Sequence, residues 1–185
     1  IGEGGLLDYT NPKAVSWWHG LMDKVLDVGV DGFKTDGTDP FVIEYQVLSG
    51  AIGYDDQNIT YREYADSYYG DFFDYTREKR GKTGLIMSRP VDCFDNADIG
   101  CMPFSPKNVV WSGWVGDDDP SFQGLRSCTR KVLYSAHQNY TNFGCDIGGY
   151  RGTDVSQKEL FLRWAQLGAF LPLMENGGGG EHRPW

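Results

Sequence analysis

The sequence predicts an α/β fold, the second half of a (β/α)8 TIM-type barrel (about strands 4 to 8) that is incomplete as a domain. Helical segments alternate with short apolar segments, and acids and glycines cluster after at least four of the apolar segments. Such alternation implies parallel strands joined by right-handed crossovers. A doubly wound sheet concentrates its site at one switch point, whereas a barrel gathers all its strand ends around one mouth. The distribution of the acids therefore favours a barrel.

Length and charge limit the functions that the chain can have. It has 185 residues, with 17 Lys and Arg against 26 Asp and Glu, and a net charge of −9. This acidic balance argues against nucleic acid and anionic membrane surfaces as partners. No apolar run reaches the ~20 residues of a membrane span. A whole barrel needs about 250 residues, so we expect residues 1–185 to be the C-terminal part of a catalytic barrel, with the remainder of the same barrel as partner.

The first half of the chain predicts two helices and two strands. Asn11 is a plausible N-cap, and Pro12 suits the first helical position of a segment that runs to Val28 and is ended by Gly29. Apolar spacing and turn residues then predict the remaining elements. These are a strand at 30–36, a helix at 61–80 closed by Gly81, and a strand at 84–88.

The second half predicts three strands and two helices after an irregular loop at 90–107. Asp119 is the expected N-cap of the first of these helices, and Ser156 with Glu159 has the spacing of a capping box for the second. The predicted elements are a strand at 109–111, a helix at 122–138, a strand at 142–145, a helix at 156–168 and a strand at 169–173.

Asp36 is the first candidate catalytic residue, because it follows a predicted strand. Beside Lys34 its carboxylate is expected to stay ionised, which suits a nucleophile or an electrostatic stabiliser. A turn-forming role in the Asp-Gly pair is an equally good interpretation of the local sequence.

Asp117 is the second candidate, since it opens a run of three acids after Trp111 and Trp114. Acidic neighbours and tryptophans favour a protonated carboxyl, as a general acid requires. The alternative role is capping of the next helix, which Asp119 can serve instead. The run lacks the alternating oxygen ligands of a calcium loop.

Other polar residues follow the predicted strands. Asp146 lies on a glycine-rich loop without a nucleotide-binding pattern, and Arg89 could pair with a carboxylate or a sugar hydroxyl. His182 follows the last glycine run and could face the mouth, whereas His19 and His137 fall within predicted helices and are expected to pack or lie on the surface. No HExxH or GxSxG motif occurs, so we predict neither a metal nor a cofactor.

Two carboxylates with tryptophans and no metal are typical of glycoside hydrolysis. In that reaction one carboxyl group is ionised and the other is protonated. The chain also resembles glycoside hydrolase family 31, the retaining α-glycosidases that include α-glucosidases, α-xylosidases and α-galactosidases. The resemblance extends in order over nearly the whole chain. Its segments are 11–18, 29–36, 88–89, 114–117, 144–150, 163–170 and 183–185.

The resemblance implies that Asp36 attacks the anomeric carbon and that Asp117 is the acid/base. It places Asp146 at the floor of the pocket and Arg89 against the sugar or a catalytic carboxylate. The expected substrate is an α-linked oligosaccharide or glycoside, and the flanking β-rich domains of the family are absent from this chain. The expected substrate-binding residues are Lys34, Arg89, Trp114, Asp146, Asn176 and His182.

Several alternatives stay open. Asp39 stands where the family commonly has Glu, and Asn176 where it commonly has His, so a non-catalytic carbohydrate-binding or structural homologue is the main rival. A lyase or transglycosidase would use the same two acids. A Schiff-base aldolase using Lys34 is a weaker possibility. Lys34 before the nucleophile resembles the α-xylosidase and α-galactosidase side of the family.

Compartment is only weakly indicated. Cys93 and Cys101 lie close enough in sequence to bridge in an oxidising compartment. Asn58 and Asn139 each begin an N-glycosylation tripeptide, which slightly favours a secretory or extracellular location.

Overall fold

A computed structural model describes residues 5–37, 51–92 and 102–179. Within these ranges, five parallel strands form one sheet in the order β1-β4-β7-β8-β9. The strands of this sheet are β1 (Gly32–Lys34), β4 (Leu85–Met87), β7 (Val110–Trp114), β8 (Phe143–Asp146) and β9 (Met174–Glu175). Each strand therefore neighbours the next one along the chain, with no reversal of the order. This is the strand order of a barrel and not of a doubly wound sheet.

Two short antiparallel pairs accompany this sheet. One joins β2 (Ala51–Ile52) to β3 (Asn58–Ile59), and the other joins β5 (Val91–Asp92) to β6 (Met102–Pro103). The sequence predicted only an irregular loop at 90–107, so the second pair corrects that prediction at its two ends. Cys93 and Cys101 lie outside the described residues, and their disulfide stays a prediction.

The first two helices form where the sequence predicts them. Helix α1 (Pro12–Leu26) is capped by Asn11, whose side chain accepts a hydrogen bond from the backbone N–H of Lys13. Helix α2 (Tyr61–Arg80) begins with a capping box of Thr60 and Glu63. Gly81 ends α2 at φ +63°, a backbone conformation that favours glycine.

The N-termini of the last two helices differ from the prediction. Helix α3 (Phe122–His137) is capped by Ser121, whose hydroxyl accepts from the N–H of Gly124. Asp119 is therefore not the cap, and its backbone oxygen accepts from Ser121 instead. Helix α4 (Lys158–Gly168) starts two residues later than predicted, with no side-chain cap. The predicted capping box is wrong, and the Ser156 hydroxyl is buried without a hydrogen-bond partner in the ranges that the structure describes.

The last strand lies further along the chain than predicted. Residues 169–171 continue from α4 as a turn, in which the N–H groups of Phe170 and Leu171 donate to Leu167 and Gly168. Pro172 has no N–H to donate to a strand ladder. Strand β9 therefore begins only at Met174.

Two apolar clusters hold the helices to the sheet. The first packs α1 and α2 against β4 and β7 around Leu26, Tyr69, Phe72, Ile86 and Val110. The second packs α3 and α4 against β8, and its buried members are Val115, Cys128, Cys145, Ile147, Leu160 and Trp164. Both clusters lie between the helices and the sheet. They hold in place the strands whose ends carry the polar residues. No helix in the described ranges is long and apolar enough to cross a membrane.

Candidate active site

Asp36 is held by Arg89 through one hydrogen bond and a second ion-pair contact. Asp36 lies two residues after β1 and Arg89 two residues after β4, so the parallel pairing of these strands brings the two side chains to the same edge of the sheet. Arg89 Nε lies 2.9 Å from Asp36 Oδ1, and Nη2 lies 3.0 Å from Oδ2. The backbone N–H of Gly37 also donates to Oδ1, at 2.8 Å. Both oxygens of the carboxylate are thus oriented by the protein.

The same arginine holds Asp117. Arg89 Nη2 lies 2.9 Å from Asp117 Oδ1, so one nitrogen atom bonds to both candidate catalytic carboxylates. Because a single atom joins them, Asp36 Oδ2 and Asp117 Oδ1 are at most about 6 Å apart. The two carboxyl groups of retaining glycosidases are typically ~5–5.5 Å apart. The prediction that strand-end residues converge is confirmed for these three residues.

The backbone around Arg89 leaves little freedom for its guanidinium. The hydroxyl of Ser105 donates to the Arg89 carbonyl oxygen. Gly116, directly before Asp117, has φ +95°, and a Cβ at this position would lie 2.9 Å from Arg89 Nη1. A glycine is therefore required for the guanidinium to lie across this backbone.

Lys34 is directed away from Asp36 and toward the opposite edge of the sheet. Its Nζ lies 2.8 Å from Glu175 Oε2 and 3.9 Å from the centroid of the Trp114 ring. The expectation that Lys34 would be the charge partner of Asp36 is thus corrected, since Arg89 is the cation bonded to that carboxylate. The reason is the curl of the sheet, which brings the end of β9 opposite the end of β1.

Trp114 lies beneath both cations. Its side chain is 1% exposed, and the Arg89 guanidinium carbon lies 5.4 Å from its ring centroid. Cation–π contact with Lys34 and Arg89 is therefore its role in this structure. A direct contact with sugar stays a prediction. Trp111, which we expected near Asp117, instead packs against Phe73 and Arg77 of α2.

Asp146 is buried next to Glu175. The two residues are paired in the register of β8 and β9, so their side chains point to the same face of the sheet. Asp146 is 3% exposed, and its register partner Glu175 is the neighbouring carboxyl on that face. Burial and, after it, the neighbouring Glu175 carboxyl raise the pKa of Asp146 to about 7, while the charge of Lys34 opposes the rise.

Asp118, next to the candidate acid/base, is locked to α3. Its carboxylate lies 2.8 Å from Lys131 Nζ, and both side chains are at least nine-tenths buried. Burial raises the pKa of Asp118, and the charge of Lys131 opposes that rise. The backbone oxygen of Asp118 accepts hydrogen bonds from the N–H groups of Tyr150 and Arg151. The loop after β7 is thereby joined to the loop after β8.

The structure says less about three further residues that the sequence singled out. Asn176 follows Glu175 and is exposed, while His182 and Asp39 lie outside the described residues. Sequence reasoning missed Glu175, because the last strand was predicted too early to end at this acid. Among the described residues, no group of three or more His, Cys, Asp and Glu side chains could hold a metal ion.

Comparison with known proteins decides the family. The model of the glycosyl hydrolases family 31 TIM-barrel domain matches residues 1–185, the whole chain. The chain belongs to glycosyl hydrolase family 31. The resemblance that the motifs indicated is therefore confirmed, as is the α/β barrel class.

Its relatives within family 31 are distant in sequence. An isomaltosyltransferase of Sporosarcina globispora is 27% identical over 97% of the chain, and an alpha-xylosidase of Emericella nidulans is 26% identical over 97%. The chain covers only 16% and 21% of these two proteins. The solved cycloalternan-degrading enzyme of Trueperella pyogenes shares the fold, with a TM-score of 0.73 and 23% identity over 95% of this chain and 23% of that one.

Proposed function

We propose that this family 31 chain carries the catalytic carboxylates of a retaining α-glycosidase, which hydrolyses terminal α-glycosidic bonds through a covalent glycosyl–Asp36 intermediate. The observation that carries the proposal is the bonding of one Arg89 nitrogen to both Asp36 and Asp117. An arginine shared by two carboxylates at a barrel mouth supports a pair that acts on one bond. The relatives named as an isomaltosyltransferase and an alpha-xylosidase support an α-linked glycoside as substrate.

In the first step, Asp117 gives its proton to the glycosidic oxygen while Asp36 attacks the anomeric carbon. The bond from that carbon to the leaving oxygen breaks, and an ester bond to Asp36 forms. In the second step, Asp117 takes a proton from water, whose oxygen replaces Asp36 at the same carbon. Two inversions give net retention of the α configuration.

The spacing supports this route over direct displacement by water. An inverting enzyme holds its carboxyl groups roughly 6.5–9.5 Å apart to admit a water molecule. The shared Nη2 of Arg89 limits Asp36 Oδ2 and Asp117 Oδ1 to a shorter separation. The contacts of Arg89 with both oxygens of Asp36 also favour an oriented nucleophile. Lys34, Trp114, Asp146, Asn176 and His182 remain the proposed substrate-binding residues.

Turnover of aryl α-glycosides by the intact protein tests the proposal. The panel contains the glucoside, xyloside, galactoside, N-acetylgalactosaminide and sulfoquinovoside, and NMR of the released sugar reports the anomer first formed. We expect one member to be hydrolysed to the α anomer. Asp36→Asn should abolish turnover, while Asp119→Asn, at an exposed acid near the site, should preserve it.

The competing interpretations give different results in the same assay. Azide should rescue the activity of Asp36→Ala and give a β-glycosyl azide. If azide does not rescue this variant, Asp36 is not the nucleophile. Products longer than the substrate would show transfer to sugar instead of water. No turnover across the panel by a folded, sugar-binding protein would favour the non-catalytic homologue.

A further inference from the structure

Glu175 makes contacts that the proposed reaction does not use. It ends β9, is 18% exposed, and pairs in register with Asp146 at the end of β8. Neighbouring side chains on one face of a parallel pair lie side by side. Two carboxyl groups are thus adjacent at the floor of the curled sheet, where water is largely excluded.

One cation faces this pair in the described part of the chain. Lys34 reaches from β1 to within 2.8 Å of Glu175 Oε2, and its Nζ is also held over the Trp114 ring at 3.9 Å. Arg89, another cation at the site, is bonded to Asp36 and Asp117. Within the described residues, Lys34 is thus the cation that the structure bonds to this carboxyl pair.

The placement of Asp146 beside Glu175 favours a proton shared by the two carboxyl groups. Two ionised carboxylates have acceptor oxygens only, so they can bond to each other only when one of them carries a proton. Like charges held this close, in a buried place, retain one proton. Asp146 Oδ2 adds support, because it is buried with no hydrogen-bond partner among the described residues, and an ionised oxygen left there would lose its solvation.

We propose that Glu175 is a positioning residue that shares one proton with Asp146 and anchors Lys34 across the barrel interior. The pair then keeps a carboxyl O–H at the pocket floor at neutral pH, next to the sugar site. This role in substrate binding rests on the proposed glycosidase function, whereas the sharing of the proton does not. The charged groups that face Asp146 are Lys34 from β1, Asp117 after β7 and Glu175 from β9.

Glu175→Gln in the intact protein tests the shared proton. The substitution removes the like charge and frees Lys34 for Asp146, so the titration of Asp146 should move down by at least one pH unit. Difference infrared spectroscopy between pH 5 and pH 8, with ¹³C-labelled aspartate, follows the protonated carboxyl directly. Glu159→Gln on α4 is the matched control, because Glu159 is 71% exposed on a helix and does not lie at a strand end.

Kinetics test the positioning role separately. Loss of one hydrogen bond to the sugar predicts that Glu175→Gln raises KM at pH 6 about three- to tenfold with little change in kcat. The rise of KM with pH should begin at a lower pH than in the wild type. If Glu175→Gln does not fold, Lys34→Gln serves instead and should move the Asp146 titration to higher pH.

The two failures are distinguishable. An unchanged infrared titration in Glu175→Gln would overturn the inference, even if the protein hydrolyses glycosides. A shifted titration in a protein that turns over none of the panel would uphold the shared proton and reject the glycosidase function. A shifted titration with an unchanged KM would reject the positioning role.

Discussion

Lys34 and Glu175 are 141 positions apart in sequence, yet Nζ and Oε2 are joined across the sheet at 2.8 Å. Their strands are the first and last of five, and a flat sheet would separate them by roughly 19 Å. The contact therefore shows that the sheet curls enough to bring its first and last strands together. It also explains why Arg89, and not Lys34, is the cation in contact with Asp36.

Arg89→Lys should cost activity far more than stability. Lysine keeps the charge but cannot bond both oxygens of Asp36 and reach Asp117 with the same planar group. We expect kcat/KM to fall about a hundredfold, the scale for loss of one preorganised electrostatic contact. Steady-state kinetics on the hydrolysed glycoside check this. Arg130→Lys, at an exposed arginine on α3, should keep full activity. Equal activity of the two variants would contradict the central role of Arg89.

Gly116→Ala should displace the Arg89 side chain without adding or removing a charge. The new Cβ would lie 2.9 Å from Arg89 Nη1, on a backbone with φ +95°. Strain on the order of 1–3 kcal/mol and a displaced guanidinium should lower kcat at least tenfold. Gly20→Ala is the control, since its Cβ meets nothing within 4 Å in α1 and alanine favours a helix. A fully active Gly116→Ala enzyme would show that the loop adapts.

Lys131→Met should destabilise the protein by about 3 kcal/mol, the cost of leaving a buried charge unpaired. The charge left behind is Asp118, which is 6% exposed. Denaturant unfolding of the intact protein measures the loss. Adding Asp118→Asn to Lys131→Met should restore most of it. A double variant as unstable as Lys131→Met would mean that the packing of Lys131 matters more than its charge.

Asp146→Asn should change how stability depends on pH. The pKa of Asp146 is about 7 in the folded protein against an ordinary value of 3.8, so only the folded state holds the proton between these values. The stability that this proton gives is full below pH 4 and is lost as the pH rises to 7. Asparagine stays neutral, so the variant should exceed the wild type by about 2 kcal/mol at pH 8. Melting curves at pH 5 and pH 8 check this, and a gap that does not widen with pH would contradict it.

The sequence predicted most of the fold because local signals agreed with tertiary contacts. Asn11 with Pro12 began α1, and the glycine at 81 ended α2, both at the positions found. The signals failed where two candidates competed for one role. Ser121 and not Asp119 caps α3, since only a residue directly before the helix can reach its first N–H groups.

The sequence predicted that Asp36 and Asp117 lie at strand ends, but it did not predict which cations pair with the acids of the candidate site. Asp36 and Asp117 are recognisable because each acid follows a strand, a local property. The partners of Lys34 and Arg89 depend on how far the sheet curls, which no local pattern gives. Glu175 was within reach of sequence reasoning, because Pro172 delays the last strand and leaves an acid at its end.

The carbonyl oxygen of Asp118 accepts hydrogen bonds from two consecutive N–H groups of the loop after β8. The exchange of these two amides can therefore report the motion of the loop after β7. The amide hydrogens of Tyr150 and Arg151 are shielded only while the segment after Asp117 stays in place. Their exchange with deuterium in solution would then follow the opening of the loop that carries Asp117 and not the opening of their own loop. A bound sugar that slows both amides together would reveal the two loops closing as one body.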